Sequence, residues 1–146
     1  MARNYLQGKY TPINPKKYAG NVDEIIYRSS WEKKLFLFLD KNPDVLKWGS
    51  EELIIEYFSP VDKRVHRYFP DVVVMYKNKA GEVKRAVVEV KPEKQTKPPT
   101  GKKMTKYLME EYKTYTINTA KWQAATDWCK KNGFDFLIFT EKHLGI

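Results

Sequence analysis

The chain carries one cysteine, Cys129, among 146 residues. A lone thiol excludes an intramolecular disulfide and any cysteine-based zinc site, and it fits a reducing compartment. Histidine is almost as scarce. His66 and His143 stand far apart in the chain, so their spacing supports no His/Cys metal cluster. No apolar run approaches the length of a membrane span; the stretch at 35–39 is far too short. The opening MARNYLQGKY contains no apolar segment, so no secretory signal is expected. No internal repeat, base-stacking RNA motif or sequence-reading element stands out, which leaves weak sequence preference as the expectation for any nucleic-acid partner.

What the chain does have is hydrophobic content of 42%, with 14% aromatics, enough for one folded domain with a real core. It also has a net charge of +9 with the charges unevenly spread. Residues 91–106 hold six lysines against Glu93 alone, whereas 40–62 hold six acids against Lys41 and Lys47. A basic and asymmetric chain suggests a polyanion as partner, most often nucleic acid; the competing reading is solubility.

In chain order, residues 1–20 are polar and basic, with Arg3, Lys9, Lys16 and Lys17 and no acid. They read as an extended N-terminal arm ahead of a single domain at 21–146. Ser29-x-x-Glu32 is a capping box opening a helix whose face would be Trp31, Leu35, Phe38 and Leu39. That helix should end before Pro43. Trp48 follows, then strands at 53–58 and 64–69 joined by the turn Ser59-Pro60-Val61-Asp62. The four tryptophans read as core rather than stacking platforms. Beyond the lysine- and proline-rich loop 91–103, two helices are expected, 104–117 and 118–132, the second capped by Asn118 and stopped by Gly133. A buried strand at 134–139 closes the pattern, giving an α/β arrangement with a mixed sheet flanked by helices in the order α-β-β-β-α-β.

The chemistry concentrates in HRYFPDVVVMYKNKAGEVKRAVVEVKP, residues 66–92. Two apolar strands flank a polar turn containing Asn78, Ala80 and Gly81. If the turn centres near Ala80, antiparallel pairing sets Asp71 across from Glu89, with Lys91 on the same face as Glu89. Facing carboxylates repel unless a cation sits between them. Mg²⁺ suits such a pair, since it takes oxygen ligands and uses one or two carboxylates plus substrate phosphate. A backbone carbonyl beside Glu89, that of Val90, is a further ligand candidate. Lys91 is placed to stabilise developing negative charge or hold the attacking water. The constellation suits phosphodiester hydrolysis. The plain alternative is a turn aspartate and a solvated Glu-x-Lys face. Glu32 has two readings, the cap alone or a third carboxylate delivered by the helix. Candidate DNA contacts are Arg64 and Arg67 upstream, Lys94, Gln95, Lys97, Lys102 and Lys103 in the loop, and Lys121 on the second helix.

Glu32, Pro70-Asp71 and Glu89-Val90-Lys91 resemble the motif of the PD-(D/E)XK nucleases. The blocks YRSSWEKKLF, HRYFPDVVV, VVEVKPEKQ and KWQAATDWCKKNGFDFLIFTE resemble more closely the head completion nucleases of T-even-type tailed phages and the nuclease subunit of heteromeric transposases. The resemblance covers residues 27–141. It implies a restriction-endonuclease-like core and a Mg²⁺-dependent DNA endonuclease (Mn²⁺ as substitute), with Asp71 and Glu89 as metal ligands, Lys91 as catalytic lysine and Glu32 as the extra carboxylate. It further implies double-stranded DNA and phage head, portal or neck proteins as partners, with no membrane and no small-molecule cofactor. The expected location is the head or neck of the virion, and the host cytoplasm during assembly. Trimming of packaged DNA before tail attachment is the expected role; a non-catalytic DNA-end-binding or portal-joining protein on the same fold is the alternative.

Overall fold

A computed structural model describes residues 7–145. In chain order the elements are β1 (Gly8–Lys9), β2 (Ile26–Tyr27), α1 (Ser30–Lys41), β3 (Val45–Ser50), β4 (Ile55–Ser59), β5 (Arg64–Tyr68), β6 (Val72–Lys77), β7 (Val83–Val90), α2 (Lys106–Asn132), β8 (Asp135–Phe139) and α3 (Glu141–Leu144). The central sheet has the order β3-β6-β7-β8. Its first two pairings are antiparallel and the last is parallel, which α2 makes possible as the crossover between β7 and β8. The fold is therefore a mixed α/β sheet flanked by helices, as the chain order suggested.

Each face of this sheet has its own core. On one side α1 lays Leu35, Phe36 and Leu39 against Trp48, Val72, Val74, Ala86 and Val88. On the other, α2 and the β4–β5 hairpin pack Ala125 with Ile55, Tyr57 and Tyr68. Covered on both faces, β7 is buried from Ala86 to Glu89, so it reads as a continuous apolar run rather than an alternating one. Trp48 and Trp122 are buried, in keeping with tryptophans as core.

Four expectations change. First, β3 replaces what reads as a mere connection around Trp48. A bulge between Val45 and Lys47 breaks its two-residue period, and the strand carries Gly49 and Ser50, so neither alternation nor composition announces it. Second, β4 and β5 pair only with each other in a separate two-stranded sheet. Third, the two helices are one, of 27 residues. Asn118 is buried mid-helix rather than capping, and Thr116 and Thr119 donate their hydroxyls to the carbonyls of Tyr112 and Thr116 (2.8 and 3.0 Å), so polar residues there do not end the helix. Gly133 does end it, at φ +75°, the left-handed conformation glycine adopts without strain. Fourth, Phe38 is exposed, and the inward face of α1 is Leu35, Phe36, Leu39 and Asp40.

The N-terminal segment is also not a free arm. Arg3 lies outside the described residues, but from Gly8 onward the chain packs. Tyr10 and Tyr18 are buried and pack edge-on against Trp48 at 5.9 and 4.8 Å. The anchor is Asp40, fully buried at the end of α1. Its carboxylate accepts from the Tyr10 hydroxyl and the Ile13 amide (2.7 Å each) and from the Asn14 amide (2.9 Å). Lys17 Nζ donates to the carbonyls of Asp40 and Asn42, 2.8 Å each, which satisfies helix-end acceptors with a cation.

Burial alone would raise the Asp40 pKa, but the hydrogen bonds from Tyr10, Ile13 and Asn14, with Lys17 nearby, hold it below its usual range. A depressed carboxyl pKa contributes stability above the unfolded-state value of about 4, lost as pH falls through the folded value. Asp40→Ala should cost about 3 kcal/mol in urea unfolding at neutral pH. The difference from wild type should shrink below about pH 4.

Candidate active site

The hairpin of β6 and β7 pairs Val72 with Val88, Val73 with Val87 and Met75 with Arg85. The register expected from the turn at Ala80 is therefore the one adopted, with Gly81 at φ +81° allowing the reversal. Asp71 lies one residue beyond the last pair and faces Glu89. The two strands are joined across this mouth by the Val90 amide, which donates to Asp71 Oδ2 at 2.7 Å. Pro70, fully buried, fixes the approach of the chain to Asp71.

Alternation then sends Glu89 to the face covered by α2 and β5, opposite Val88. Only 6% of Glu89 is exposed, a severe constraint for a carboxylate. Its Oε1 is buried with no hydrogen-bond partner among the described residues, and the Lys91 ammonium stands 3.9 Å from Oε2. Burial first, and Glu89 second, raise the pKa of Asp71. Burial likewise raises that of Glu89, against the pull of Lys91.

Two elements from elsewhere converge on this mouth. Ser29 caps α1 by accepting from the Glu32 amide at 3.1 Å, which sets Glu32 in the first helical turn. Its carboxyl pKa is pushed up to about 7, by burial and then by Asp71 and Glu51. The Glu32 carboxylate takes a long contact from Ser29 Oγ at 3.4 Å and lies near enough to Asp71 to feel its charge. From α2 comes Lys121, half-buried, its pKa lowered by burial and by Lys91 and restored in part by Glu89 and Asp71. It lies over the rings of Tyr68 and Tyr57, at 5.6 and 5.8 Å.

Three neighbours went unnoticed in the sequence. Tyr68 of β5 has a buried hydroxyl close to Glu89 that makes no well-aligned hydrogen bond among the described residues, its pKa raised by burial and then by Glu89. Arg28 forms an ion pair with Glu51 and lies near enough to Glu32 and Asp71 to feel their charge. Glu51 adopts φ +54°, rare for a residue other than glycine, and its amide donates to the Asp71 carbonyl at 3.3 Å. Glu51 belongs to the surplus of acids at 40–62, and Arg28 and Tyr68 lie within the blocks YRSSWEKKLF and HRYFPDVVV, but nothing in those signals singled them out.

The remaining DNA-contact candidates divide. Lys94, Gln95 and Lys97 line a groove of about 640 Å³ against α2. Lys102 and Lys103 are exposed just before α2. Arg67 is exposed on β5 one residue from Tyr68, so it points away from the acids, and Arg64 sits by the hairpin turn. His66 pairs with Asp62 at 2.6 Å on the surface, and His143 completes the cap of α3; neither reaches the cluster. The loop is tethered at its start, where the Glu93 amide donates to Glu141 (2.8 Å) and Lys142 pairs with Glu93 (2.9 Å).

A sequence profile for the TnsA-like endonuclease N-terminal domain matches residues 42–141. The chain belongs to that family. It is also 41% identical over 144 residues to the head completion nuclease of Enterobacteria phage T4, covering 94% of this chain and 92% of that protein.

The donor set fits a hard divalent cation. It offers two adjacent carboxylates, one with a buried and unpartnered oxygen, beside the Val90 backbone. Among the described residues no three His, Cys, Asp or Glu side chains are grouped to hold a metal ion; the donors present are the two carboxylates, and Mg²⁺ commonly takes one or two, with water and phosphate completing its shell.

A raised carboxyl pKa makes the folded state hold protons. Its stability is then greatest below pH 4 to 5 and falls as pH rises toward about 7, where Glu32 ionises. Asp71→Asn, which keeps an acceptor for the Val90 amide, should therefore raise Tm by about 2–4 °C at pH 8 in EDTA. Added Mg²⁺ or Mn²⁺ should raise the Tm of wild type and leave Asp71→Asn unmoved. Calorimetry with and without metal measures both.

Proposed function

We propose that the protein is a Mg²⁺-dependent DNA endonuclease of a phage particle, which hydrolyses phosphodiester bonds and trims packaged DNA before the tail attaches. The observation that carries the chemistry is the pair Asp71 and Glu89, forced together by the hairpin register with a buried carboxylate oxygen unpartnered. Membership of the TnsA-like endonuclease family and the likeness to a head completion nuclease support the reading. By that likeness the partners are double-stranded DNA and head, portal or neck proteins. The location is then the virion, reached from the host cytoplasm. No described helix is long and apolar enough to cross a membrane.

In this reading Asp71, Glu89 and the Val90 carbonyl hold the cation, with Mn²⁺ as its substitute. When bound, the ion supplies Lewis-acid stabilisation to the charge that builds on the phosphate. The protein does the rest. Lys91, tied to Glu89 at 3.9 Å, presents its ammonium to a non-bridging phosphate oxygen as negative charge develops there. Glu32, delivered by the first turn of α1, accepts a proton from the attacking water. Lys121 adds positive charge from the α2 side and takes a backbone phosphate, as do Lys94, Lys97, Lys102 and Lys103 from the loop. Gln95 hydrogen-bonds the same strand, and Arg64 and Arg67 reach the duplex farther out.

Plasmid DNA incubated with MgCl₂ provides the test. Wild type should cut it, and Asp71→Ala, Glu89→Ala and Lys91→Ala should each lose about 10²-fold or more. Equal cutting by wild type and Asp71→Ala would remove the site assignment. No cutting by folded wild type, with head completion intact in Glu89→Ala phage, would leave a DNA-end-binding protein instead. Charge reversal of Lys102 and Lys103 should weaken DNA binding and flatten its salt dependence, because fewer ammonium groups on phosphates displace fewer counterions.

A further inference from the structure

The groove between residues 94–100 and the first half of α2 has a lining that duplex DNA does not explain. Its loop wall carries Lys94 and Lys97; its helix wall carries Tyr107, Glu111, Tyr115 and Asn118. Tyr107 is 84% exposed, which no core role accounts for. Asn118 is the reverse: 4% exposed, with a buried Nδ2 lacking a partner among the described residues. Lining the groove, that amide donor is free to bind an acceptor on a ligand seated there.

The two walls have different chemistry. Ammonium groups suit phosphates. A carboxylate such as Glu111 repels phosphate but accepts from the amino groups on base edges, an amide can do both, and tyrosine rings offer faces on which bases stack. In a duplex the base faces are hidden in the stack. They are available in an unpaired strand, for which a basic groove studded with aromatics is the general solution. The volume, about 640 Å³, is that of a pocket for a small ligand rather than a channel for a double helix.

Both walls of the groove lead toward the acid cluster along the chain. Lys94 follows Lys91 by three residues, and Asn118 precedes Lys121 by three on the same face of α2, about 4.5 Å along the helix axis. Lys121 in turn shares the field of Asp71, Glu89 and Lys91. A strand whose scissile phosphate sits at Asp71 and Glu89 therefore has its flanking nucleotides beside this groove.

We infer that the groove seats an unpaired stretch of the cut strand, so that the preferred substrate is DNA with a single-stranded tail or flap rather than blunt duplex. This rests on the nuclease reading and specifies its substrate class.

The test is fluorescence anisotropy in EDTA, where cleavage is silent, comparing a blunt duplex with the same duplex bearing a single-stranded tail at either end. Wild type should bind a tailed duplex about tenfold more tightly, the worth of one stacked base. Tyr107→Ala, at an exposed position that the fold does not need, should erase that preference and leave blunt-duplex affinity unchanged. Tyr107→Trp should restore it. Equal affinity of wild type for both DNAs, or a preference untouched by Tyr107→Ala, overturns the inference. Plasmid cutting in Mg²⁺ is scored separately. A protein that cuts plasmid but ignores tails refutes the groove and keeps the nuclease, whereas one that prefers tails but never cuts supports the groove and refutes the nuclease.

Discussion

Two carboxylates held face to face inside a protein repel each other, and the strands that carry them must be fixed strongly enough to bear it. Here the register of β6 on β7 does the fixing. Four apolar side chains, Val72, Val74, Ala86 and Val88, are buried on the α1 side of the pair, and slipping either strand by one residue would turn its two away from that core. Asp71 and Glu89 cannot separate without undoing that core. The Val90 amide relieves one oxygen of Asp71, and Lys91 partly offsets Glu89. What remains is negative potential concentrated at one end of a rigid hairpin, with one carboxylate oxygen unsatisfied.

The two layers around the sheet serve this point from opposite sides. The layer of α1 is oriented by Asp40, which ties the N-terminal segment to the helix end through three hydrogen bonds, while Ser29 sets the other end of the helix and with it Glu32. The layer of α2 carries Lys121 and leans on the β4–β5 hairpin, which brings Tyr68 beneath it. Charge of one sign therefore enters through α1 and of the other through α2. A site built on helices and strands in this way keeps its geometry more closely than one built on loops. The lysine-rich loop, anchored at Glu93 to α3, extends the basic surface outward from the same point.

Much of this was legible in the residues alone, wherever the physics is local. The turn Asn78 to Glu82 dictates the pairing, because a hairpin's register follows from its turn. The β-branched runs beside it dictate strands, Ser29 and Pro43 bracket α1, and Gly133 stops α2. From these alone Asp71, Glu89 and Lys91 could be placed together. Local signals failed where two of them competed. Asn118 has the chemistry of a cap, yet it lies buried in the middle of a continuous helix. The bulge in β3 erased the alternation that would have revealed a fourth strand.

The sequence by itself determined the acid pair, the lysine beside it and the mixed α/β order, because each depends on residues near in the chain or on a single turn. Only the tertiary structure decided the rest. Whether Glu32 reaches the acids, whether Lys121 faces them or solvent, and whether residues 8–20 hang free or pack beneath Trp48 all depend on contacts between distant elements. No spacing in the chain encodes those contacts. They are set by which faces of α1 and α2 bury the most apolar surface against the sheet, a choice made only when the whole core closes.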